Sequence, residues 1–280
     1  GMLAKVTASH YRGVPENTSL APIGFESRYV NDSKRLGGTL SYPVILNNRH
    51  ALTLTGGFYA NNQFERYTQA VQPGAGRQIE LSTDVRVASA EASYLQRGQG
   101  FTRNATLGFY KGFDGLGASR QNNINDLSFF RTRLLVSQAN DLPYGFGTSV
   151  SAAGQYSGNR LASSEQISFG GRFFGLGYPA GEVAGDKGWG ASAEINRMFA
   201  VDYTYLKTLQ PFIVTDYARV FSNSVSLSHR TLQSVAIGLR FSDRRYYTMD
   251  ISVAQPVGDK PTNASHRSPR FNLLWSYQFD

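Results

Sequence analysis

Cysteine is absent from the 280 residues, which excludes disulfides and thiolate metal sites. Charge is scarce: Asp, Glu, Lys and Arg make up 17% of the chain, against roughly 25% in an ordinary soluble domain. No run of about 18 apolar residues occurs, so a transmembrane helix is excluded. The start, Gly1-Met2-Leu3-Ala4-Lys5, lacks the charged and apolar regions of a secretory leader, and the chain is expected to be a mature piece of a longer product. No Gly-x-Ser-x-Gly elbow, phosphate-binding glycine loop or His-Glu-x-x-His pair is found. No enzyme chemistry, cofactor or metal is expected.

Glycine, tyrosine and phenylalanine are plentiful, at 29, 16 and 18 residues, yet mean hydropathy is only −0.32. Low charge with many aromatics and small polar residues suits a wall that is apolar on one side and polar on the other. A transmembrane β-barrel has such a wall, with lipid outside and a polar lumen inside. The net charge of +8 raises the question of nucleic acid. The Lys and Arg are dispersed rather than gathered into a basic stripe, so no nucleic-acid partner is expected.

Period-two alternation runs through nearly the whole chain. At the end, Phe271, Leu273, Trp275, Tyr277 and Phe279 oppose Arg270, Asn272, Leu274, Ser276 and Gln278. This marks a strand with one apolar and one polar face. Upstream, Tyr247, Met249, Ile251 and Val253 oppose Thr248, Asp250 and Ser252, and Val235, Ile237, Leu239 and Phe241 oppose Ser234, Ala236, Gly238 and Arg240. About twelve such segments are predicted, over 2–12, 34–46, 49–60, 77–97, 101–113, 127–141, 145–158, 188–199, 206–221, 231–243, 246–257 and 269–280. Short turns (Asn47-Asn48, Leu142-Pro143, Asp243-Arg244) alternate with longer connectors at 61–76, 114–126, 159–187 and 258–268. That is the habit of outer-membrane barrels. A soluble β-sandwich also alternates, but edge charges and prolines would more often interrupt faces this tall. The fold class is therefore read as an all-β, antiparallel transmembrane β-barrel spanning residues 1–280. The four histidines (His10, His50, His229, His266) are scattered, and Glu80 and Asp84, on one strand face, read as ordinary lumen charges.

One connector is out of character. Residues 162–189 hold Phe169, Phe173, Phe174 and Tyr178 among many glycines. A solvated loop rarely carries such aromatics, and a connector this long is usually functional. The segment 159–187 is expected to fold back as a compact hairpin into the lumen.

At this segment the chain resembles the two-partner-secretion transporters, also called haemolysin secretion/activation proteins. The matching blocks are Ser164-Glu165-Gln166-Ile167, Gly170-Gly171-Arg172-Phe173, Gly175-Leu176-Gly177-Tyr178 and Gly185-Asp186-Lys187-Gly188-Trp189. Gly154-Gln155-Tyr156-Ser157 also fits, and Pro211-Phe212-Ile213-Val214-Thr215-Asp216-Tyr217-Ala218-Arg219-Val220 is similar to the family strand with an inward Asp. The resemblance implies export of a large secreted partner protein across the outer membrane without nucleotide energy. It implies contact with outer-membrane lipid and with the barrel-assembly machinery. It also implies that the chain matches the last twelve of sixteen strands, with the first strands and the periplasmic POTRA domains absent. A barrel-assembly factor, a porin-like channel and a fragment without independent activity remain open. In the family, a loop arginine pairs with the strand Asp. Leu176 holds that position here, so Arg172 is expected near Asp216 or Glu194. Arg172, Phe173, Phe174, Gly175, Leu176, Gly177 and Tyr178 form the expected gate, and Trp275, Tyr277 and Phe279 the expected assembly signal.

Overall fold

The computed structural model describes residues 1–13, 27–70, 76–121, 125–172, 174–223, 230–262 and 264–279. Their strands are β1 (Leu3–Gly13), β2 (Ser27–Leu46), β3 (His50–Ala70), β4 (Gly76–Gly98), β5 (Phe101–Gly112), β6 (Ser119–Arg120), β7 (Phe130–Asp141) and β8 (Phe146–Ser157). There follow β9 (Ile167–Phe169), β10 (Val183–Gly185), β11 (Lys187–Arg197), β12 (Phe199–Tyr203), β13 (Leu206–Phe221), β14 (Arg230–Ser242), β15 (Tyr247–Pro256) and β16 (Arg270–Tyr277). One antiparallel sheet runs in the order β1-β2-β3-β4-β5-β7-β8-β11-β13-β14-β15-β16. The short β6 and β12 attach to β4 and β13, and β9 pairs only with β10. Among the described residues no ladder joins β1 to β16, so these two strands are the edges of the sheet.

The alternation read from the sequence sets the faces. On β13, Phe212, Val214, Asp216, Ala218 and Val220 are buried, whereas Pro211, Ile213 and Thr215 are exposed. Register carries this across neighbours. Ile195 faces Ile213, Ile213 faces Ile237, Ile237 faces Val253 and Val253 faces Phe271, making one continuous apolar row on the outer face. The inner row through Ser151, Ser192, Asp216 and Ser234 is polar.

Aromatic bands border the apolar zone at both ends. Phe109 against Phe130, Tyr156, and Trp189 stacked on Tyr217 mark one band. Phe146, Phe199, Phe241 with Tyr247, and Tyr246 with Tyr277 mark the other, at the short-turn end. From Phe146 to Tyr156 the strand rises about 33 Å, which a usual barrel tilt of about 40° reduces to about 25 Å, the height of an outer-membrane apolar band.

The short turns are closed by side chains. The Asn47 carbonyl accepts the Arg49 and His50 N–H groups at 2.9 and 2.7 Å. An Asp243 oxygen accepts those of Arg245, Tyr246 and Tyr247 at 2.8–3.0 Å. Register between β2 and β3 shifts at Pro43/Ile45, a bulge beside the one residue there that cannot donate to a ladder.

Two expectations need correction. Residues 61–70 are not connector but strand, since β3 and β4 pair out to Ala70 and Gly76. Hydrophobic alternation fades there because Asn61, Asn62, Gln63, Glu65 and Arg66 are polar on both faces while the ladder continues. Residues 199–203, partly read as loop, form β12 against β13.

Candidate functional site

The segment joining β8 to β11 lies on the inner face and touches both halves of the sheet. Its first part packs Leu161 and Ala162 with Tyr59, Val85, Val87, Leu127 and Phe129. Its second packs Ile167, Phe169, Phe174, Tyr178 and Val183 with Ala153, Ala218, Val220 and Leu232. Leu176 rests on Phe212, Val214, Ala236 and Ala254, and its carbonyl accepts the Asn272 amide at 3.3 Å. Contacts therefore run from Tyr59 on β3 to Asn272 on β16. In a flat sheet those strands would stand about 43 Å apart at about 4.8 Å per strand. The stretch from Glu165 to Leu176 is folded on itself, so the sheet must curve around it.

Glycines make the fold of the tip possible. Gly175 sits at φ +104°, a conformation side chains rarely adopt. A Cβ on Gly177 would lie 2.7 Å from the Pro256 nitrogen, so the tip backbone presses directly on β15. Gly171 N–H reaches the Gly175 and Tyr178 carbonyls at 3.0 and 3.1 Å, and Gly170 N–H reaches that of Phe174 at 2.7 Å.

Four polar anchors hold the segment. The deepest is an ion pair between Glu165 and Arg131 of β7, at 2.7 Å, whose side chains are 1% and 7% exposed. The same carboxylate oxygen accepts the Tyr59 hydroxyl at 2.6 Å and Arg131 Nε at 3.1 Å. Gln155 of β8 accepts from Arg131 at 3.2 Å and donates to the Glu165 carbonyl at 2.9 Å. The guanidinium lies over the Tyr110 ring at 3.8 Å. A buried charge needs such a complete set of partners.

Asp186 closes the base of the segment. It accepts the Leu161 N–H at 2.8 Å and the Asn223 N–H at 2.7 Å. Tyr178 is fully buried and donates to the Asp259 carbonyl at 2.8 Å; burial pushes its phenol above the ordinary value. Glu182 pairs with Arg230 at 3.1 Å and accepts the Thr262 N–H at 2.6 Å, tying the tip to the β15–β16 connector.

The expected pairing of Arg172 with Asp216 or Glu194 is not found. Asp216 accepts the Leu176 N–H at 3.0 Å and the Ser234 hydroxyl at 2.7 Å. The residue without a side-chain charge thus meets the strand carboxylate through its backbone. Glu194 is held bidentately by Arg240, at 2.6 Å twice, and Arg240 Nε reaches Asp250 at 2.8 Å. Arg172 is exposed and lines the same inner cavity of about 620 Å³ as Phe174, Leu176, Glu194, Asp216 and Arg240. Among the described residues no carboxylate pairs with it. Phe173 lies outside the described residues. Ser234, on the polar face that alternation indicated, is fully buried against Asp216. Trp275 and Tyr277 are exposed on the outer face of β16, and Phe279 stands edge-on to Tyr277 at 4.9 Å.

Glu165, Arg131, Asp186 and Tyr59 were not singled out from sequence. Glu165 and Asp186 stand inside the quoted resemblance blocks, which was the available signal. Arg131 and Tyr59 carried none.

An antiparallel sheet with aromatic bands, an apolar outer face and a segment folded against its polar inner face is an outer-membrane β-barrel protein. The chain belongs to the haemolysin secretion/activation protein family ShlB/FhaC/HecB, which matches residues 32–241. Over 128 residues it is 30% identical to the heme/hemopexin transporter protein HuxB of Haemophilus influenzae, a match covering 44% of this chain and 23% of that protein. The fold is that of CdiB from Escherichia coli (TM-score 0.72, 20% identity, 98% of this chain and 49% of that one). It is also that of BamA from Haemophilus ducreyi lacking POTRA domains 1–3 (TM-score 0.66, 13% identity, 99% of this chain and 59% of that one). The chain spans about half the length of these solved relatives and less of the curated one.

Proposed function

We propose that this chain is the translocating barrel of a two-partner-secretion system, which passes a large secreted partner protein outward across the outer membrane. The observation that carries the reading is the segment 159–187 folded onto the inner face and tied there through Glu165 and Arg131. A segment of that bulk inside a protein-conducting barrel obstructs passage, so it acts as plug and anchor and is displaced when the client enters. Arg172, Phe174, Leu176 and the carboxylates Asp216 and Glu194 line the space that displacement would enlarge. Trp275, Tyr277 and Phe279 serve as the assembly signal read by the barrel-assembly machinery.

Absence of native cysteine permits a clean test. A Cβ on Gly190 would lie 3.1 Å from Phe174 Cγ, so Phe174→Cys with Gly190→Cys places two thiols where they can bond. Export of the partner should stop when the pair is oxidised and resume on reduction. Undiminished export with the crosslink complete would remove the gate. Loss of barrel insertion generally, rather than of one client, would favour an assembly factor.

A further inference from the structure

On the outer face a groove of about 700 Å³ crosses β11, β13, β14 and β15, walled by Ile195, Ile213, Ile237, Leu239 and Val253 and floored at Pro211. Its lining residues are apolar apart from Asn196, Ser252 and, at the short-turn end, Arg197, the one charged residue among them, which stands at its mouth. Arg197 follows Ile195 on the outward positions of β11 and is exposed. Its guanidinium lies 4.9 Å from both the Phe146 and Phe199 ring centres, which hold it laterally without neutralising it. Among the described residues it has no carboxylate partner; Asp202, five residues on in the chain, is taken by Lys207 at 2.8 Å. Phe199, Leu209 and Phe241 form a row across β12, β13 and β14. Arg197 stands two residues to the bilayer side of that row, at the level where acyl chains give way to headgroups. A lone cation there is stabilised by an anion supplied by the lipid itself.

We infer that this groove is a binding site for an anionic glycerophospholipid of the periplasmic leaflet. One acyl chain lies along the Ile213–Ile237–Val253 wall and the phosphate sits on Arg197 between the two phenylalanines. The occupant is a lipid because the charge closes the end of an apolar channel open to the bilayer, where a free anion would lose its hydration without gaining a chain contact. The site belongs to the outer face and is independent of the inner segment and of export.

The test is native mass spectrometry of the purified protein in detergent, with phosphatidylglycerol, phosphatidylethanolamine and glycerol phosphate as separate probes and heat-modifiability as the check of folding. Phosphatidylglycerol adducts should be retained over phosphatidylethanolamine, and Arg197→Gln should weaken retention about fivefold, as one headgroup-level cation does. Arg197→Lys should keep most of it. Leu239→Trp, which fills the groove and leaves the charge, should also weaken it and decides the matter should Arg197→Gln misfold. Equal retention by wild type and Arg197→Gln overturns the site, as does equal retention of the two lipids. Displacement of phosphatidylglycerol by glycerol phosphate at equal concentration would make it a free-anion site and overturn the lipid assignment.

Discussion

Replacing Glu165 by Gln keeps the shape of the side chain and removes one charge from a pair almost wholly out of solvent. Arg131 cannot shed its proton, so the guanidinium would remain buried with Tyr59, Gln155, the Tyr110 ring and an amide oxygen around it but no carboxylate. Breaking a buried pair from one side costs about 3–5 kcal/mol, whereas replacing both partners by apolar residues of similar size is often close to neutral. The expected order is therefore Arg131→Met or Glu165→Gln strongly destabilising, and Arg131→Met with Glu165→Leu less damaging than either. Asp186, Tyr178 and Glu182 would still hold the two ends of the segment, so the loss should be local. Limited proteolysis within 159–187, read beside urea unfolding of the whole barrel, separates the two: cleavage should rise in the single variants at denaturant levels that leave the sheet intact. Planar-bilayer conductance should rise in step as the segment leaves the inner face. Single variants that cleave at the wild-type rate, or a double variant whose loss is the sum of the singles, would refute the claim that this pair is the anchor.

Ile237→Arg places a charge in the middle of the outer row and should lose about 2–4 kcal/mol of folding into bilayers, while Ser149→Arg, on the cavity face opposite Glu194, should fold normally; comparable folding yields would reverse the assignment of faces. Tyr178→Phe removes the hydroxyl bonded to the Asp259 carbonyl and should cost about 0.5–1.5 kcal/mol, seen as faster exchange of the 258–262 amides; unchanged exchange would show that the ring alone positions the tip. Phe279→Ser should lower the amount of heat-modifiable barrel in cells without changing that of refolded protein, and equal cellular levels would dismiss Phe279 as an assembly signal.

What the sequence by itself determined is whatever repeats at short range. Alternation from Arg270 to Phe279, or from Val235 to Phe241, tells which side chains share a face because successive residues of a strand point to opposite sides. Turn residues such as Asn47 and Asp243 are legible for the same local reason, since each bonds backbone only two to four residues away. The same signal failed at 61–70, where Asn61, Asn62, Gln63, Glu65 and Arg66 put polar residues on both faces and the ladder leaves no hydrophobic alternation to read. Pairing needed more. Arg240 and Asp250 were readable as inner-face charges, but only the registers of β11, β13, β14 and β15 bring Arg240 onto both Asp250 and Glu194 and leave Arg172 without Glu194. Glu165 meets Arg131 and Tyr59 across 34 and 106 residues of chain, through the curvature of a whole sheet. No local pattern encodes such a contact: the desolvation that makes an unpaired charge costly exists only once the segment is folded against the inner face, so tertiary structure alone decided which carboxylate became the anchor.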